Sequence, residues 1–145
     1  MKNSYLTLRR LFQGQRRQIL VASLMRRYGW QQQQADRAVT RYLRFLSIAS
    51  LHADVVLAPT QEIDCVWEAD ILQNTAQYMQ MCHRLCGDVI HHADESQIQN
   101  CVAFESLEVA FANTQALFVH YFGDALLGDR ADQAAACGVL VESRQ

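Results

Sequence analysis

"PTQEIDCVWEADIL" occupies positions 59–72, and "CHRLCGDVIHH" follows at positions 82–92. The first stretch opens as a helix should. Pro59 precedes Thr60, whose hydroxyl is a good N-cap, and Glu62 and Asp64 bring negative charge to the positive helix end. The spacing of Trp67, Ile71, Tyr78 and Cys82 continues an apolar helical period, which predicts one helix from Thr60 to about position 85, stopped by Gly87. At about 100° per residue, Gln73, Gln77, Gln80 and Arg84 share a narrow arc, the expected solvent side, with Asp70 at its edge. Asp64 and, above all, Glu68 then project with Trp67 toward other helices, while Asp70 is solvated.

An ionised carboxylate among apolar groups must be protonated, paired or bound to a metal. Arginines elsewhere in the chain offer a structural ion pair. His83, His91, His92, Cys82 and Cys86 offer imidazole and thiol, which together with carboxylate are what a divalent metal takes. The metal set read from these residues is Asp64, Glu68, Cys82, His91 and His92, for zinc or else iron or manganese. The wider polar site adds Trp67 and Asp70. Cys82-x3-Cys86-x4-His91-His92 is not a recognised zinc signature, and the two histidines just past a helix end would serve equally to cap its carbonyls. No oxyanion-type glycine loop or third orienting residue accompanies a Cys-His pair, so no residue is assigned as catalytic.

Outward from this segment every strong period is helical. Residues 4–28 form one helix or two, Gly14 being the candidate break and Gly29 the stop. Residues 31–49 form the next, with Ala35, Ala38, Val39, Tyr42, Leu43 and Leu46 on one stripe and Arg37, Arg41 and Arg44 opposite. A last long helix is expected over 97–122, stopped by Gly123, and positions 129–145 read as a weakly structured tail or a docked helix. The expected fold is therefore all-α, a small antiparallel bundle of four to five helices. A single domain covers 1–128, and the helix over 60–85 is the most buried.

With 145 residues, one proline and six glycines, the chain has the size of one domain and no linker-like stretch. Its net charge of −2 hides a split: residues 1–50 carry ten Lys/Arg against Asp36 alone, and residues 51–145 carry three Arg against fourteen Asp/Glu. A basic face for nucleic acid competes with helices of opposite sign laid against each other. The second is favoured, because the basic half has few aromatics on which bases could stack. Five unevenly spaced cysteines favour reduced thiols in a cytoplasm. "RRLFQG" at 9–14 is a poor export signal, since the apolar run over 19–25 is closed by Arg26 and Arg27. No window approaches the ~18 apolar residues of a membrane span.

Several of these stretches together resemble the glycine-rich domain-containing protein-like family, in particular its small bacterial members. The resemblance rests on Gly29-Trp30, Tyr42 to Leu46, Pro59-Thr60 with Ile63-Asp64 and Val66-Trp67, and Thr75 with Tyr78. It continues through Cys82 with Gly87 and Ile90 to His92, and Thr114 with Tyr121 to Gly123, covering about residues 28–123. Where the family pattern has Trp-His-x-His, this chain has Trp67-Glu68-Ala69-Asp70. The resemblance implies a helical fold and a site at this motif, with carboxylates standing where imidazoles would, rather than a reaction.

Three functions are compatible with these residues. One is a binding or regulatory domain with a protein partner or self-association, in which Trp67, Asp64, Glu68, His91 and His92 mainly fix the fold. Another is a metal-binding protein or metal-assisted enzyme using Asp64, Glu68 and His91 or His92. The third is nucleic-acid binding through the Arg-rich N-terminal helices.

Overall fold

Gly14 divides the first basic segment in two. In the computed structural model, which describes residues 2–101, 104–123, 134–135 and 137–139, α1 spans Lys2–Leu11 and α2 spans Gln15–Tyr28. Gly14 sits at φ 67°, a left-handed conformation that any other residue would adopt only under strain. Next comes α3, Gln32–Leu51, whose predicted stripe of Ala35, Ala38, Val39, Tyr42, Leu43 and Leu46 is buried throughout. It packs against α1, α2 and the helices that follow, so α3 rather than the segment after Pro59 is the centre of the bundle.

The helix expected over 60–85 is two helices, α4 (Gln61–Gln73) and α5 (Thr75–Cys86). Thr60 caps α4 as its sequence suggests, its hydroxyl accepting from the Ile63 amide at 3.2 Å. Asn74 breaks the run by adopting an extended backbone and capping α5, its side chain accepting from the Gln77 amide at 2.9 Å. Gly87 stops α5 in left-handed geometry.

Beyond it lie a short strand β1 (His92–Asp94), a single turn α6 (Glu95–Ile98), α7 (Leu107–Phe122) and a second strand β2 (Cys137–Val139). The long helix expected over 97–122 is thus confined to α7, because Ser106 supplies a new N-cap to the Val109 amide. Most of positions 129–145 lie outside the described residues, but those that are described form no helix. Cys137–Val139 pairs antiparallel with β1, with His92 opposite Val139 and Asp94 opposite Cys137. On its other side the same segment bonds the stretch before α4: Val139 donates to the Leu57 carbonyl and Ala135 to that of Pro59, both at 3.0 Å. Gly138 is required there, since a Cβ would lie 2.5 Å from the Leu57 carbonyl oxygen.

The architecture is an all-α bundle carrying one small two-stranded sheet. The charge split is in part internal: Arg41 meets Glu62 at 2.7 Å and Arg16 approaches Asp70 at 3.7 Å, each joining the basic half to the acidic one. Among the described residues no helix is long and apolar enough to cross a membrane.

Candidate metal centre

Trp67 is the fixed point from which the site is built. It is fully buried against Phe45, and its indole N–H donates to the Tyr78 hydroxyl at 2.8 Å. That hydroxyl in turn donates to the Ile90 carbonyl, which ties α4 and α5 to the chain just ahead of β1. The edge-to-face contact of Trp67 with the His92 ring, centroids 4.6 Å apart, then holds the imidazole against α4.

From that position His92 Nε2 lies 2.7 Å from Asp64 Oδ1. The Cys137 thiol donates to the same oxygen at 3.0 Å. His92 and Cys137 face the same side of the two-stranded sheet as diagonal neighbours, and Asp64 approaches from the first turns of α4. One oxygen, one nitrogen and one sulfur therefore lie within 4.8 Å of one another, brought together from three separate parts of the chain. Glu68, one turn after Asp64, brings a carboxylate oxygen to 4.0 Å from His92 Nε2.

The electrostatics follow from this convergence. The hydrogen bond to Asp64 raises the His92 pKa above its ordinary value, with the Asp64 and Glu68 charges adding to it against the opposing effect of burial. Burial pushes the Cys137 thiol far up, and the carboxylates of Asp64 and Glu68 push in the same direction. A thiol so placed is a poor nucleophile, but a cation at the same point would reverse the balance and favour thiolate.

Several expectations are corrected here. Glu68 does not face the core: its side chain is 48% exposed, and it shares the outer face of α4 with Leu72. Asp70 is the buried carboxylate, at 6%. The inversion has a physical cause: the solvent arc was drawn largely from Gln77, Gln80 and Arg84, which belong to α5, and the extended Asn74 breaks the phase between the two helices. Within α4 alone, Asp70 follows Trp67 by three residues and Ile63 by seven, and shares their buried face.

Asp70 accepts from the Tyr42 hydroxyl at 2.7 Å, and burial raises its pKa although Tyr42 and Arg16 act against the rise. Cys82 is buried in the core beside Tyr78 and is not part of the convergent set. His91 is exposed and also outside it. His92 begins β1, and Gly87 closes α5 in left-handed geometry. Cys137, counted among the five cysteines, was not placed in the site by the sequence reading, since three strand residues show no usable alternation. The one available signal was Gly138 between apolar neighbours.

Comparison with known proteins found no matching family model, and no significantly similar curated protein or solved structure. The chemistry of the site has to be read from its own residues.

Proposed function

We propose that the chain is a divalent-metal-binding helical domain, with Asp64, His92 and Cys137 as ligands and zinc as the metal that their chemistry fits best. The observation that carries this reading is that carboxylate, imidazole and thiol from α4, β1 and β2 converge within 4.8 Å. This mixed oxygen, nitrogen and sulfur set is one that zinc accepts, at about 2.0–2.3 Å from each donor. Tetrahedral bonds of that length separate donors by roughly 3.3–3.7 Å. The hydrogen-bonded separations of 2.7 and 3.0 Å would therefore open by less than about an ångström. Two protons now converge on Asp64 Oδ1. A cation would take their place, with His92 neutral and Cys137 as thiolate, so binding releases protons. Glu68, with Oε1 4.0 Å from His92 Nε2, is the candidate for a further ligand.

The motif resemblance supports the same location, and we propose the chain as a divergent relative of the glycine-rich domain-containing protein-like family, its imidazole ligand supplied by His92 rather than from the Trp67 motif. The odd number and uneven spacing of the five cysteines support a cytoplasmic setting. A specific arrangement of side chains supports metal binding; what supports the protein-partner reading among the described residues is exposed apolar side chains such as Leu72 and Met79.

Elemental analysis of protein purified without chelator or affinity-tag metal tests the proposal. About one metal per chain is expected in the wild type, and much less in Asp64→Ala and Cys137→Ser variants that retain the wild-type circular dichroism spectrum. Metal-free wild-type protein that takes up no zinc in calorimetry would end it.

A further inference from the structure

A second polar concavity lies on the opposite, basic half of the molecule. The break at Gly14 bends α1 away from α2 and leaves a cleft of about 530 Å³ between them and α3. That volume is in the range of small-molecule sites. Arg9, Arg17 and Arg44 line it, with Asp36 the one acid among its lining residues.

The three guanidinium groups are not equivalent. Arg17 is committed to the fold: it donates to Asp36 Oδ1 and to the Asp36 carbonyl at 2.8 Å each, and to Thr40 Oγ1 at 2.7 Å. Asp36 is thereby neutralised, and the positive charge of the cleft is that of Arg9 and Arg44. Both lie over the same Tyr5 ring, 5.9 and 5.7 Å from its centroid. Arg44 is also stacked on Phe122 at 4.9 Å, and the two rings meet edge to face, so its plane is held. Its Nε is buried and has no hydrogen-bond partner among the described residues. Two guanidinium charges thus border one cleft with no acid left free to offset them there, and an anion in the cleft would supply the missing charge.

We infer that this cleft binds a phosphate group, borne by a small phosphorylated molecule, between Arg9 and Arg44. Arg44 is pre-oriented by its two aromatic neighbours, Tyr5 and Phe122. Arg9, which is exposed, closes over the oxyanion from α1. The cleft volume beyond one phosphate leaves room for an organic substituent against Tyr5 and Phe12.

Calorimetry and thermal denaturation with inorganic phosphate, a nucleoside monophosphate and the corresponding uncharged nucleoside test this directly. Both phosphates should bind and raise the melting temperature, and the nucleoside should not. Tighter binding of the monophosphate than of inorganic phosphate would show that the organic part is also held, and equal binding that the anion alone is recognised. Arg9→Gln should weaken binding about tenfold, equivalent to about 1.4 kcal/mol. Arg10→Gln, an equally exposed neighbour that does not line the cleft, should leave binding unchanged. Arg44→Gln should weaken binding at least as much as Arg9→Gln. Should that variant fail to fold, the contrast between Arg9 and Arg10 still decides the matter, and it also separates this site from a phosphate held on a metal at Asp64. No heat and no thermal shift with either phosphate would overturn the inference. So would equal loss in the Arg9 and Arg10 variants, or binding of duplex DNA alone.

Discussion

Asp64 and Asp70 stand six residues apart on one helix and have opposite surroundings. Asp70 is buried and meets a phenol and a guanidinium, Tyr42 at 2.7 Å and Arg16 at 3.7 Å. Neither partner gives up its proton near neutrality: burial and the Asp70 charge push the Tyr42 hydroxyl well above its ordinary value, and arginine stays protonated. Asp64 is partly exposed and meets an imidazole and a thiol, both of which become metal ligands on losing a proton. A carboxylate partnered only by permanent donors pins helices together. One partnered by removable protons can exchange them for a cation, as proposed for Asp64, and the partners of each acid follow from which face of α4 it occupies.

The largest effect is expected at Trp67, which anchors α4 and holds His92. Trp67→Ala should destabilise the fold by about 3–5 kcal/mol in denaturant titration and displace His92, with loss of metal affinity. A variant that melts like the parent would mean that the indole is not what holds α4 and β1 together. Asp70→Ala comes next, at about 3 kcal/mol, because it leaves Arg16 and the Tyr42 hydroxyl without their buried acceptor. It should nevertheless bind one metal per chain as the wild type does, and a parallel loss of metal would erase the distinction between the clusters.

A smaller effect is expected at Asp70 from pH. Asp70 titrates above its ordinary value of 3.8 because burial disfavours its charged form. Between the ordinary and the raised value the folded chain holds more protons at this group than the unfolded chain does. Its contribution to stability therefore falls as pH rises through that window and recovers on acidification. The difference between wild type and Asp70→Asn in chemical denaturation across that window should show this slope, and a difference that rises with pH would refute the assignment. Glu68→Gln should be the mildest change, within about 0.5 kcal/mol in metal-free protein, since the side chain is half exposed. A loss of several kcal/mol would restore Glu68 to the interior.

The parts of this fold that were legible in the sequence are those decided locally. Thr60 caps α4, Gly29, Gly87 and Gly123 end helices, and the stripe of α3 is buried, because each depends on backbone geometry or on a period within one element. The Asn74 break was written there too, as an Asn followed three residues later by Gln77, the spacing of a capping box, but the apolar period running through it carried the reading instead. Asp64, Trp67 and His92 were recognisable as a polar site beside an apolar anchor. Cys137 was not, since it reaches Asp64 through a pairing across 73 residues that no local pattern encodes. Asp70 was misplaced for a related reason: its partners Tyr42 and Arg16 belong to other helices, and only packing reveals which face of α4 they cover.

Asp64, His92 and Cys137 are proposed to hold one metal ion together. Cobalt(II) titration of the metal-free protein, followed by absorption, tests it most directly, because a thiolate bound to cobalt gives a charge-transfer band in the near ultraviolet and low-coordinate cobalt gives strong visible bands. Both features are expected, saturating at one cobalt per chain and displaced by zinc, with the near-ultraviolet band lost in Cys137→Ser. Featureless spectra of hydrated cobalt throughout the titration, or a thiolate band that survives in Cys137→Ser, would contradict it.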